Sequence, residues 1–384
     1  VKRATWKNPN PYDSEAYYKL GLSLFYQRRY EKAYDAFYKA TWSNEQQEMS
    51  FYYLAAIACG RGAYEEALYL IDRGLVKNWH NVKARGIKAA ILRKLGREEE
   101  AKRWIEESLK IDPFDYVSRW EKLSWLQGET RDAERQTLAA CMRDSAEAYL
   151  RLAKDYAECG FYREALDVLG ECPAKAPMNE YYKGYYMGLS GKTEDEVKKQ
   201  YLLAEKQDSY CCFPNALEDI AVLSDCTEML SGTSFAWYYL GNLYYDKKQY
   251  EKAADCWERS AEANDGFPTV FRNLSLAYYN HLDRKTEARE VMEKAFGLDT
   301  TDARVFFELD QLYKKFKVPA EERLAQYEKY RETALERDDA FIEYVALHNL
   351  TGHYEKAYEL LLSRKLHPWE GGEGRAAAQY IVAL

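Results

Sequence analysis

Residues 234–265 read SFAWYYLGNLYYDKKQYEKAADCWERSAEAND. Trp237, Leu240, Gly241 and Tyr244 fall at i, i+3, i+4 and i+7, one face of a helix. Ala253, Trp257 and Ser260 form the matching stripe of a second helix. Gly241 and Ala253 are small, as expected where two helix backbones approach, and Trp237 and Trp257 fill the space beside them. One such hairpin cannot cover its own apolar face, so it demands neighbours.

The neighbours are legible on both sides. Tyr17, Leu20, Gly21 and Leu24 precede Ala33, Phe37 and Ala40; Phe51, Leu54, Ala55 and Ala58 precede Ala67, Ile71 and Gly74; Ala89 and Leu92 precede Ala101, Ile105 and Ser108. Ala33, Ala67 and Ala101 are spaced by a constant 34 residues, the sign of a repeat array. The pattern blurs at 115–142 and at 302–335, with Val318–Pro319 in the turn of the second stretch. Between them lie units at Tyr149–Leu169 and Tyr181–Ala204, then one helix started near Pro214–Asn215. Phe271–Ala288 and Phe341–Leu361 continue the series. The expected organisation is an extended lead-in over 1–13 with Ser14 as N-cap, a repeat array over 14–366, and a Gly-rich loop with a terminal helix over 367–384. HPWEGGEG (367–374) should end the helix that holds Leu361, and it offers Trp369, Glu370 and Glu373 as contacts for a further domain.

A chain of 384 residues exceeds one compact domain, a limit that stacked repeats escape. With 47% hydrophobic and 31% charged residues it reads as soluble and globular. The net charge of −8 argues against general nucleic-acid binding. No apolar run approaches the roughly 18 residues of a membrane span, and the first residues carry no signal-peptide pattern. A start at Val1 fits a fragment of a longer protein. Cys59, Cys141, Cys159, Cys172, Cys211, Cys212, Cys226 and Cys256 form neither a CxxC motif nor a regular framework. They read as reduced thiols in the cytoplasm.

Nothing in the sequence demands catalysis. His348 and His353 are five residues apart, the wrong spacing for two ligands on one helix turn, and HExxH, GxSxG, GxxxxGK[ST] and GxGxxG motifs are absent. The chain is therefore read as a non-enzyme with no cofactor and no metal. Lys83, Arg85, Lys88, Arg93, Lys94, Arg97, Lys102 and Arg103 make its largest charge asymmetry, either a solvated face or a stretch that takes an acidic peptide or another domain.

On these residues the chain resembles the tetratricopeptide repeat family. The resemblance implies an all-α, right-handed superhelical solenoid of about ten hairpins. It also implies a protein-interaction scaffold that binds a peptide or partner domain along the concave side, lined by each repeat's first helix. Carried over position by position, the partner-binding residues are Lys83, Arg93, Tyr238, Asn242, Tyr245, Arg272, Asn273, Tyr279 and Arg304. One subfamily clamps acidic chaperone tails with Lys, Asn and Arg. Asn242, Asn273 and Arg304 match three of its positions, whereas Tyr238 and Glu308 set this chain apart. The segments 28–42, 80–97 and 367–374 also resemble the C-terminal repeats of larger bacterial proteins whose N-terminal domain is similar to sugar-mutarotase sandwiches. That second resemblance implies a structural arm of a carbohydrate-related protein.

Overall fold

The computed structural model describes residues 5, 7, 8, 12–367, 372 and 374–384, which are α-helical with no β-strand among them. The docking contacts expected of Trp369, Glu370 and Glu373 lie outside the described residues. The chain forms two compact units, residues 1–231 and 232–384. The expected single array is thus divided at Ser231–Gly232.

In the first unit the helices pair as antiparallel hairpins: α1 (Glu15–Tyr26) with α2 (Tyr30–Ala40), α3 (Gln47–Gly60) with α4 (Tyr64–Lys77), and α5 (Val82–Lys94) with α6 (Glu98–Ile111). The blurred stretch gives a short α7 (Tyr116–Lys122) and α8 (Gly128–Met142). Then α9 (Ala146–Glu158) pairs with α10 (Tyr162–Gly170), and α11 (Pro177–Leu189) with α12 (Glu194–Ala204). A lone α13 (Leu217–Met229) follows. It starts two residues after the expected Pro214–Asn215, where the Asp219 carboxylate accepts the backbone N–H groups of Asn215 and Ala216 at 3.0 and 2.9 Å. At α1 the Ser14 side chain makes no capping bond; the backbone N–H of Glu15 donates to Asp13 at 2.8 Å.

This unit folds back on itself. Helix α1 touches α13, and α3 and α5 touch α9. The Lys83 ammonium pairs with Glu158 at 2.7 Å and Asp155 at 3.0 Å, and the Tyr52 hydroxyl donates to Glu158 at 2.9 Å. Close backbone approach makes this possible. Gly160 sits at φ +75° in the turn after α9, and a Cβ there would stand 3.0 Å from the Cα of Gly60.

The second unit holds α14 (Phe235–Asp246) with α15 (Tyr250–Ala263) and α16 (Pro268–Asn280) with α17 (Lys285–Leu298). Next come α18 (Ala303–Lys315), α19 (Ala320–Lys329), a short α20 (Arg331–Leu335), α21 (Asp338–Leu350) with α22 (Tyr354–Ser363), and a final α23 (Arg375–Ala383). The helix holding Leu361 thus ends at Ser363, just ahead of His367.

The small residues act as the pattern requires. Ala33, Ala67, Ala101, Ala165, Ala253, Ala288 and Ala357, each on the second helix of a hairpin, are all 0% exposed. Gly241 meets Trp257 rather than Ala253. A Cβ on Gly241 would lie 2.3 Å from the indole nitrogen. Bare backbone there lets the Trp257 Nε1–H reach the carbonyl of Tyr238 at 3.2 Å. Trp104 makes a similar bond without a glycine at the matching position, donating to the carbonyl of Arg85, 19 residues back, at 2.9 Å.

Candidate interaction surface

Three successive first helices of the second unit, α14, α16 and α18, carry a connected polar ladder. Asn242 lies on α14, Arg272 and Asn273 on α16, Arg304 and Glu308 on α18. The Oδ1 of Asn242 accepts from Trp257 Nε1–H at 3.2 Å and from the Asn273 amide at 3.2 Å. Arg272 grips Glu308 through two bonds, Nε to Oε2 at 2.7 Å and Nη2 to Oε1 at 2.6 Å. A third contact, Nη1 to the Asn273 Oδ1 at 3.5 Å, joins it to the asparagines. Arg304 Nε donates to the same Glu308 carboxylate at 3.1 Å. Two guanidinium groups therefore share one carboxylate, and Arg304 stays 63% exposed.

Aromatic rings flank the ladder. Tyr245 lies one helical turn beyond Asn242; its hydroxyl and His281 Nε2 are 3.1 Å apart, and its ring packs edge-on to Tyr250 at 5.2 Å between centroids. Burial raises the Tyr245 phenol above its ordinary range. The Lys315 ammonium lies 4.4 Å over the Tyr279 ring. Tyr238 packs against Phe267 at 4.9 Å. Of the residues expected to bind a partner, Asn242, Asn273 and Arg272 are thus joined directly and Arg304 joins them through Glu308, while Tyr238, Tyr245 and Tyr279 share the helices α14 and α16.

Lys83 and Arg93 belong to the first unit, where their charges are met internally. Burial alone would lower the Lys83 ammonium; Glu158 and Asp155 more than offset it and hold the pKa above its ordinary range. Arg93 pairs with Glu121 at 2.5 Å and Glu164 at 3.0 Å, and Lys94 takes Glu164 at 2.5 Å. Much of the basic stretch therefore holds the unit together. Sequence reasoning missed Trp257 and His281 as neighbours of the surface. Trp257 stood out only as packing, and His281 looked isolated because its partner is 36 residues away.

Among the described residues no group of three or more His, Cys, Asp and Glu side chains is placed to hold a metal, and no helix is long and apolar enough to cross a membrane. Tetratricopeptide repeat models match residues 14–47, 82–115 and 234–267. Three solved structures are similar to the chain. Yeast Tom70 is 12% identical over 96% of this chain and 88% of that chain, with a TM-score of 0.30. The TPR domain of P58(IPK) is 14% identical over 97% of each chain, with a TM-score of 0.28. MamA from Desulfovibrio magneticus RS-1 is 19% identical over 51% of this chain and 99% of that chain, with a TM-score of 0.30. None of these matches supports the resemblance to proteins with a mutarotase-like domain. The chain carries tetratricopeptide repeats, stacked as helical hairpins.

Proposed function

We propose that the chain is a non-catalytic scaffold in the cytoplasm and that the second unit holds an extended peptide or partner segment. The peptide lies along Tyr238, Asn242, Tyr245, Arg272, Asn273, Tyr279 and Arg304. Proteins built of tetratricopeptide repeats generally serve protein–protein interaction, which supports this class. One observation carries the specific reading: Asn242, Asn273, Arg272, Glu308 and Arg304 form one hydrogen-bonded ladder across three successive first helices, with Arg304 63% exposed at its end. A face rich in donors takes main-chain carbonyls and carboxylates, and the tyrosines add apolar contact at low entropic cost. All eight cysteines are free thiols, in keeping with a reducing compartment. The test uses the full chain and a displayed library of random peptides. Selected peptides should bind about tenfold or more weakly to an Asn242→Ala/Arg272→Ala double variant, the loss typical of central contacts. Full binding by that variant would remove the surface from consideration.

A further inference from the structure

Two thiols meet where the first unit closes. Cys59 is the next-to-last residue of α3, and Cys159 caps the end of α9, 100 positions further along the chain. Both are buried, at 3% and 0% exposed. Each is followed by a glycine, and those glycines bring the two backbones together: a Cβ on Gly160 would stand 3.0 Å from the Cα of Gly60. The Cys159 thiol is hydrogen-bonded to that of Cys59. That bond, burial and the Glu158 carboxylate hold the Cys159 thiol well above its ordinary range. The Lys83 pair with Glu158 and Asp155, and the Tyr52 hydroxyl on Glu158, draw α3 and α5 to α9 at the same junction.

A disulfide asks for Cα atoms about 4.4–6.8 Å apart and side chains turned towards each other. Facing thiols beside backbones this close fit that geometry. Cys226 and Cys256 are buried too, but the groups acting most strongly on them are charged side chains and not a second thiol. Burial also shields the pair, so oxidation follows a local opening of the closed junction. Hydrogen peroxide then converts one thiol to a sulfenic acid and leaves as water. The second thiol attacks that sulfur, the S–S bond forms, and a second water leaves. Two thiols and one peroxide thus give one disulfide and two waters. All eight cysteines are free in this structure, which is the reduced form. In a reducing compartment such a bridge is transient and reports oxidant.

We propose that Cys59 and Cys159 are a redox pair, and that oxidation joins them in a reversible disulfide that locks the first unit closed. In the reduced chain α3 and α9 are held by packing and by the contacts of Glu158, which can open. In the oxidised chain a covalent bond spans the same junction. The pair is separate from the ladder of the second unit and does not rest on the scaffold reading.

The reduced full chain is treated with hydrogen peroxide in native buffer, its remaining thiols are alkylated, and the digest is mapped by mass spectrometry. The expected product is a Cys59–Cys159 cross-link, two hydrogens lighter than the separate thiol peptides, that dithiothreitol reverses. Amide exchange in α3 and α9 should slow about tenfold or more in the bridged chain, because a bond closing so long a loop removes much of the freedom of the open state. Cys59→Ala and Cys159→Ala should each lose both the cross-link and the oxidant's effect on exchange. The cross-link is read on the parent chain, so the proposal stays open to refutation even where a variant folds poorly. Peroxide treatment that leaves the two thiols unbridged, sulfinic acids on them in place of a bridge, a cross-link that forms only in the urea-unfolded chain, or unchanged exchange in the bridged chain would each overturn the proposal.

Discussion

At Gly241 the missing side chain is the space in which the Trp257 indole lies. Gly241→Leu would drive a side chain into an atom already 2.3 Å from where its Cβ would begin. The expected loss is on the order of 1–3 kcal/mol or more, read as a lower thermal midpoint. The sequence identified this glycine as a close contact, but it paired Gly241 with Ala253. The true partner follows from the rotation of the second helix about its axis, which spacing alone leaves open. Asp115 shows a second limit. It caps α7 by accepting the N–H of Ser118 at 3.0 Å, a role its residue type suggests. Its burial comes from tertiary packing and pushes the carboxyl up to about 6. In the unfolded chain the carboxyl titrates near 4. The folded state therefore favours the protonated form, and that stabilisation is complete below about pH 4 and is lost as pH rises through about 6. Asp115→Asn keeps the cap without a charge to bury. It should match the parent at pH 4 and exceed it at pH 7 by on the order of 2–3 kcal/mol, measured by urea unfolding at both values.

Among the elements, the regular hairpins were the readable ones, because one constant step repeats an identical local problem. The stretch 302–335 was unreadable for a physical reason. There α18, α19 and α21 are joined by charge as well as by apolar packing. Arg323, on α19, donates to Asp310 at 2.8 and 2.7 Å and to Glu343 at 2.7 Å. Lys314 closes on Glu343 at 2.7 Å, and the Tyr327 hydroxyl reaches Asp310 at 3.2 Å. Hydrophobic periodicity gives no sign of such a cluster. Because Asp310, Arg323 and Glu343 are buried, Arg323→Met would leave two carboxylates short of their main counterion. A loss on the order of 3–5 kcal/mol is expected, visible in a chemical denaturation curve. A mild effect would show that water or Lys314 compensates.

For the molecule as a whole, the period gave the array but not its division at Ser231–Gly232, nor the closure of the first unit. Closure depends on small rotations summed over several hairpins and on pairs such as Tyr52 with Glu158, 106 residues apart. In a plain solenoid each repeat feels only its neighbours. Here α3 and α9 are coupled directly. Glu158→Ala should cost on the order of 1–3 kcal/mol by stranding the Tyr52 hydroxyl and weakening the hold on Lys83. Hydrogen exchange should then show reduced protection in both α3 and α9. Loss confined to α9 would mean that the two behave as ordinary separate repeats.

The contact between Lys83 and Glu158 also bears on how such a chain can change over generations. Repeat arrays lengthen and shorten when a whole 34-residue unit is copied or dropped, and an open stack absorbs the change because every junction looks alike. A unit whose start meets its end has lost that freedom. Inserting one extra hairpin between α5 and α9 would carry α9 past its station and leave Lys83 without Glu158 and Asp155, Gly60 without Gly160, and α1 without α13. Adding or dropping a whole hairpin in the first unit would therefore break its closing contacts, which single-residue changes elsewhere leave in place.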